Sequence, residues 1–288
     1  MSDQAGGRGA VVITGASTGI GRTTAHHLDK LGFRVFAGVR RAQDGEALRE
    51  GASDRLSPIL IDVTNEGSIA AAAKEVTAAL GENGLAGLVN NAGIVVSGPL
   101  EFTSMDEWRR QFEVNFFGFV AVTQTFLPLL RKARGRIVNI SSIGGRVASP
   151  FIGPYAASKY AMEGASDALR RELRGTGVQV SLIEPGAIAT PIWEKGQKAG
   201  NESLAALSEE ALRVYGKGLT KLAEAAEKMS KIALPPERVA EVVAHALTSP
   251  KPKTRYLVGK EAKIQKTLSS LLGDRLFDGF MARFLGMD

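Results

Sequence analysis

Apolar, β-branched runs alternate with helix-spaced segments along most of the chain. Residues 10–14, 34–39, 58–62, 85–90, 136–141 and 178–184, and a short run at 254–258, read as strands. Helical spacing occupies residues 20–31, 44–50, 66–80, 105–131 and 155–174. Near-continuous apolar strands require cover on both faces, and strict strand–helix alternation implies right-handed crossovers in a parallel sheet. The pattern predicts an α/β fold: a doubly wound, seven-stranded parallel sheet with helices on both faces, one domain over residues 1–288.

Two segments break the rhythm. Residues 191–234 form a polar, helix-rich insertion before a helix opened by Pro235-Pro236, where proline is tolerated because the first amides lack intrahelical partners. Leu212, Tyr215, Leu219, Leu222, Ala226 and Met229 recur at helical spacing within it. That stripe suits a substrate lid or simple packing on the sheet. Residues 259–288 extend past the last strand. There Leu268, Leu271, Leu272, Leu276, Phe277, Phe280, Met281, Phe284 and Leu285 form the apolar side of one mildly basic amphipathic helix, despite Gly273 and Gly279. Packing within the protein or against a second subunit is its expected role, and peripheral membrane contact is the alternative.

Composition narrows the function classes. The chain has 288 residues, 44% hydrophobic and 23% charged, with no cysteine, so disulfides and thiolate chemistry are excluded. The opening residues lack the apolar stretch of a secretory signal, and no run of 18 apolar residues suggests a bilayer-spanning helix, so the expected compartment is the cytoplasm. The formal charge is +6, with eight basic against four acidic residues from Lys251 onward. A basic excess suits nucleic acid, anionic membranes or a phosphorylated cofactor, but no nucleic-acid-binding signature is present.

The first strand runs into Thr14-Gly15-Ala16-Ser17-Thr18-Gly19-Ile20-Gly21 and then directly into a helix. Glycines at 15, 19 and 21 permit a tight turn, close approach to a pyrophosphate and tight helix–strand packing, the signature of a Rossmann-type fold. The helix N-terminus adds amide hydrogens and partial positive charge. Arg40-Arg41 follows the second strand, where an acid would accept the ribose hydroxyls of NAD(H). A guanidinium matches a 2′-phosphate instead, so NADP(H) is expected over NAD(H), with Arg40 as the recognition residue. Asp62 and Val63 close the third strand near the expected adenine, and Asn91, Ala92 and Gly93 close the fourth.

Tyr155 and Lys159 stand four apart at the start of a predicted helix and share one face. An ammonium one turn away favours the phenolate and lowers the pKa of a phenol that is otherwise a poor acid–base group at neutral pH. Ser142 ends the preceding strand, where its hydroxyl can hold a carbonyl oxygen.

With these motifs the chain resembles the short-chain dehydrogenase/reductase family over roughly residues 11–258. The matching features are Thr14–Gly21, Asn90–Gly93, Asn115 in Val114-Asn115-Phe116-Phe117-Gly118, Ser142, Tyr155–Lys159 and Pro185-Gly186. The resemblance implies that Tyr155 is the general acid in reduction and base in oxidation. Lys159 would assist it and bind the ribose, Ser142 would orient the substrate oxygen, and Asn115 would hold a proton-relaying water. Pro185, Gly186, Ile188 and Thr190 would grip the nicotinamide carboxamide and pyrophosphate. Segments 35–40, 98–101 and 249–256 resemble the hydroxysteroid and retinol dehydrogenase branch. That likeness implies a small hydrophobic carbonyl or alcohol substrate, of steroid, retinoid or lipid type, and a homodimer or other homo-oligomer. Thr254–Val258 and the long tail replace the glycine-rich last strand of the ketoacyl-thioester reductases, which argues against a thioester substrate and a tetramer.

Other candidates are structural. His26, His27 and His245 lie far from every motif, and Glu209-Glu210 is the charge favoured at a helix start. No His/Asp/Glu cluster has metal-ligand spacing. A non-catalytic cofactor sensor of the same fold is the competing function class, set against by the complete Asn115, Ser142, Tyr155 and Lys159 set.

Overall fold

Alternate side chains of each strand go to opposite faces of one sheet, as the period-two geometry of a strand requires. In β1 (Ala10–Ile13), Val11 and Ile13 join one apolar core, and Ala10 and Val12 join the other. The computed structural model describes residues 8–191 and 208–285. The remaining strands are β2 (Arg34–Val39), β3 (Leu56–Leu60), β4 (Gly87–Asn90), β5 (Arg136–Ile140), β6 (Gln179–Pro185) and β7 (Arg255–Val258). All pair in parallel in the order β3-β2-β1-β4-β5-β6-β7. The order reverses between β1 and β4, which opens a crevice at the carboxyl ends of those strands.

The helices are α1 (Gly19–Lys30), α2 (Ala42–Arg49), α3 (Glu66–Leu80), α4 (Met105–Phe112), α5 (Gly118–Ala133), α6 (Gly153–Glu172), α7 (Glu209–Lys231), α8 (Glu237–Thr248), α9 (Lys260–Leu271) and α10 (Asp274–Leu285). On one face Ala25 and Leu28 of α1 meet Val239, Val243 and Leu247 of α8. On the other, α3 buries Ile69, Ala72, Val76 and Leu80, and α5 buries Val122, Phe126 and Leu130, all at helical spacing. Each large apolar side chain buried in this way contributes about 1.5–3 kcal/mol.

The structure revises several sequence expectations. The predicted helix 105–131 is divided by a wide π-turn at Glu113–Phe117, which aims Asn115 inward. The whole stretch Met105–Ala133 is long and apolar enough to cross a bilayer, contrary to the reading from uninterrupted apolar runs. Its charges gather at its two ends, and Val122, Phe126 and Leu130 pack it into the core. The third strand begins and ends earlier than predicted, and Pro58 sits on this edge strand, where its missing N–H is tolerated. The tail forms two helices rather than one, broken at Leu272-Gly273. Met281 is buried, whereas Leu271, Leu276 and Phe280 face outward, so the predicted stripe does not share one face. In the insertion, residues 192–207 lie outside the described residues. The α7 stripe faces inward through Tyr215, Leu219, Leu222, Ala226 and Met229, but Ala211 takes the buried place and Leu212 is exposed.

Candidate active site at the carboxyl edge of the sheet

The glycine turn is locked between β1 and β4. Gly15 and Gly19 have φ of +66° and +55°, which only glycine adopts readily. A Cβ on Gly15 would lie 2.7 Å from the Ala92 Cα, and one on Gly19 would lie 3.2 Å from Thr190. The buried Thr14 hydroxyl accepts from the amides of Asn91 and Ala92 at 3.0 and 3.1 Å. Asn91 Nδ2 donates back to the carbonyls of Thr14 and Gly15 at 3.0 and 2.9 Å. Thr18 precedes α1 without a side-chain cap, and the first turn of α1 carries no acid. A helix start with free amides and no acid beside them suits an anion.

At the ends of β2 and β3, the two arginines separate in role. Arg41 forms a fork with Asp44 at 3.0 and 2.8 Å, whereas exposed Arg40 has no ion-pair partner among the described residues. Asp62 accepts from the Thr64 amide and hydroxyl at 3.0 and 2.8 Å. These bonds, with the nearby Arg40 charge, hold its carboxyl below the usual range against some burial. Val63 is buried against Gly118 at the start of α5.

Ser142 caps the short turn Ile143–Gly145 after β5, its Oγ accepting from the Gly144 amide at 3.0 Å. Gly144 lies against both Ser142 and the Tyr155 ring, and the Tyr155 hydroxyl shares a hydrogen bond with Ser142. Lys159 is buried, donates to the Ile140 carbonyl at 2.8 Å and has its Nζ 5.9 Å from the Tyr155 ring centre. Ser142, Tyr155 and Lys159 are thus brought together. Their resting electrostatics differ from expectation. Burial pushes the Tyr155 phenol above its ordinary value, and the Ser142 bond only partly opposes it. Burial also pulls the Lys159 ammonium down to about 8, against the charge of Glu163.

Asn115 is fully buried, and its amide is engaged with protein. Oδ1 accepts from the Ile94 amide at 2.8 Å, and Nδ2 donates to the Ile94 carbonyl at 3.0 Å and to Ser158 Oγ at 3.2 Å. Its side chain joins the exit of β4 to α6 beside the tyrosine. Pro185 ends β6, and the Gly186 amide bonds to the Val258 carbonyl at 2.8 Å. Ile188 bridges to Leu234, which brings Thr190 over the glycine turn.

Sequence reasoning missed several supporting residues. Gln111 Oε1 accepts from the Val96 amide at 2.7 Å, and Ser158 Oγ donates to the Tyr155 carbonyl at 2.7 Å. Glu261 accepts from the Ala187 amide at 3.2 Å, fastening the loop after β6 to α9. Arg255 of β7 lies 3.0 Å from Glu163, 3.2 Å from Glu184 and 2.8 Å from Asp167. Apart from Ser158, three residues after Tyr155, these contacts join segments far apart in sequence, so no local spacing signals them.

Burial and the Glu163 charge push the Glu184 carboxyl up from 4.5 to about 7. A raised carboxyl stabilises the fold fully below its ordinary pKa, and that stability is lost as pH rises from 4.5 through 7. Glu184→Gln is therefore expected to flatten the decline over this window and to raise stability at pH 8 by on the order of 1–3 kcal/mol. Urea unfolding between pH 5 and pH 8 checks both the slope and the gain.

Comparison with known proteins agrees with this architecture. The family model for short chain dehydrogenase matches residues 9–200. A 17-beta-hydroxysteroid dehydrogenase type 6 from Bos taurus is 41% identical over 282 residues, spanning 95% of this chain and 87% of its own. An NADPH-dependent 3-dehydrocapnine reductase from Ornithobacterium rhinotracheale is 37% identical over 272 residues, spanning 93% and 94%. Among solved structures, a short chain dehydrogenase from Burkholderia cenocepacia in complex with NADP superposes with a TM-score of 0.72 at 26% identity, spanning 96% and 97%.

Proposed function

The chain belongs to the short-chain dehydrogenase family, and on that premise we propose that it is an NADP(H)-dependent oxidoreductase interconverting an alcohol and a carbonyl on a hydrophobic, steroid-, retinoid- or lipid-like compound. The observation that carries this reading is the convergence of Ser142, Tyr155 and Lys159 on the carboxyl edge that also holds the glycine cradle. The relatives' printed activities, on a hydroxysteroid and with NADPH, support the substrate class and the cofactor. So do Phe102, Phe151 and Tyr215, whose rings meet edge-on at 6.0 and 6.2 Å where α7 approaches the loop before α6.

The residues present fit the cofactor. The turn from Gly15 through Ser17, Thr18 and Ile20 to Gly21 would take the pyrophosphate, Arg40 the 2′-phosphate, and Asp62, Val63 and Asn91–Gly93 the adenosine side. Lys159 would reach the ribose, and Pro185, Gly186, Ile188 and Thr190 the nicotinamide end. When bound, the nicotinamide supplies or accepts the hydride. In reduction the Tyr155 hydroxyl gives its proton to the substrate oxygen, which the Ser142 hydroxyl holds in place. The Lys159 ammonium stabilises the phenolate that results, and in oxidation the same phenolate takes the proton back. Asn115 keeps the end of β4 and the start of α6 in fixed relation, which maintains this geometry.

Purified protein assayed with NADPH and NADH against hydrophobic ketones, aldehydes and alcohols tests the reading; no hydride transfer to any of them would remove it. Arg40 gives a sharper check. Arg40→Asp is expected to weaken NADP(H) by about 1–3 kcal/mol, the worth of a charged hydrogen bond, while affecting NAD(H) less. An unchanged ratio of kcat/KM for the two cofactors would exclude Arg40 as the phosphate reader.

A further inference from the structure

Behind Lys159 lies a buried charge cluster that the proposed chemistry does not use. Lys159 and Glu163 are one turn apart on α6, both at most 5% exposed, and so share a helix face. Gly145, in the turn opened by Ser142, packs against the Lys159 carbonyl and Glu163 Cγ, which holds this part of α6 close beneath that turn. The lysine Nζ has the Ile140 carbonyl as acceptor, and no carboxylate lies within ion-pair distance of it among the described residues. An ammonium held in a dry interior on one neutral acceptor needs compensating charge nearby. The charged and titratable groups of the cluster are Tyr155, Glu163 and Asp167 of α6, Glu184 of β6, Arg255 of β7 and Arg146 after the Ser142 turn. Arg170 at 2.9 Å and Arg171 at 3.8 Å serve Asp167. Arg255 is shared by Glu163, Glu184 and, at 2.8 Å, Asp167, and Arg146 lies 3.8 Å from Glu163. Glu163, the carboxylate one turn from Lys159, lies 3.0 Å from Arg255 and 3.8 Å from Arg146, and the weak screening of the interior carries its charge to the ammonium.

We infer that Glu163 is a positioning residue for the chemistry proposed above: its buried carboxylate, clamped by Arg255 from β7, is the through-space counter-charge that holds Lys159 as an ammonium beside Tyr155. The inference rests on that functional reading. Arg255 fixes the carboxylate from a strand ninety-two residues away in sequence. Its Nε donates to Glu163 at 3.0 Å while its other arm meets Asp167 at 2.8 Å, which fixes the guanidinium and so the carboxylate.

Glu163→Gln keeps the shape of the side chain and removes its charge. The alkaline limb of kcat/KM for ketone reduction is expected to move to lower pH by about one unit, because the ammonium loses its stabilising neighbour. In cofactor-free protein the NMR titration of the Lys159 ε-carbon, assigned by its loss in Lys159→Met, should move with it. Glu163→Asp, which retains the charge, should keep both midpoints within about 0.3 unit of wild type. A folded Glu163→Gln with neither midpoint moved overturns the inference, as does an equal shift in the Asp variant. Should the Gln variant fail to fold by circular dichroism, Glu163→Met, of similar length and without charge, takes its place with the same expected shift, and an unmoved lysine midpoint in it overturns the inference. The lysine titration needs no substrate, so wild-type protein without turnover would count against the function alone.

Discussion

Tyr155→Phe will bind NADP(H) as the wild type does and turn over about 10²–10⁴-fold more slowly, the usual cost of losing a general acid–base group. The variant should stay folded. The ring keeps its contacts with Gly144 and the Lys159 side chain, and the hydroxyl that is lost serves Ser142. Only the transferable proton disappears. Burial holds the phenol above its ordinary value in the resting protein, so at neutral pH the group carries its proton and is ready to act as the acid in reduction. Cofactor titration by fluorescence alongside steady-state kinetics separates the two effects. Turnover within about threefold of wild type, at unchanged affinity, would take Tyr155 out of the chemistry.

Gly21→Ala should lower kcat/KM about 10²-fold, because a displacement of roughly 1 Å in the cradle is enough to misplace the reacting atoms. The position does not require glycine for its backbone conformation, unlike Gly15 and Gly19. It requires room. A Cβ there would lie 2.2 Å from the Gly15 carbonyl oxygen and 2.5 Å from Asn91 Nδ2. Those two atoms form the 2.9 Å hydrogen bond that joins the turn to the end of β4, so one methyl group must push apart the contact that shapes the cradle. Gly164→Ala is the control, since a Cβ in that part of α6 meets nothing within 4 Å. It should leave kinetics unchanged and add about 0.5–1 kcal/mol of stability. An equal cofactor dissociation constant for Gly21→Ala and wild type would show that the turn does not form the binding surface.

The sheet was legible because strands covered on both faces leave near-continuous apolar, β-branched runs, such as Ala10–Ile13, and such runs survive in one dimension. The glycine turn and the Tyr155–Lys159 pair were legible for a related reason. Each is contiguous, and a doubly wound sheet gathers its strand ends at one edge. What stayed hidden depends on contacts between distant segments. Glu261 meets Ala187, and Arg255 meets Glu163, only after β6 and β7 have paired. Nothing local in either residue marks it. The π-turn at Asn115 is similar, because the cause of the wide turn is the demand of Ile94 and Ser158 for an inward amide. The tail was misjudged in its continuity for a local reason. Gly273-Asp274 is a break followed by an N-terminal acid, and this outweighs an apolar periodicity running through it. The direction of the Tyr155 shift was missed because a sequence shows the neighbouring lysine but not the depth of burial.

The late position of Arg255 bears on how the protein is made. A ribosome delivers Glu163 and Glu184 well before the strand that brings their shared guanidinium. Until β7 arrives, the nascent chain has two carboxylates destined for the interior and an open β6 edge carrying Leu182 and Ile183. Closing the interior around those charges is costly, so the half-made chain remains loose and accessible to chaperones and proteases. A chain stopped just before residue 255 is therefore expected to keep those two carboxylates without their guanidinium from β7, and to be cut by protease faster than the full-length protein.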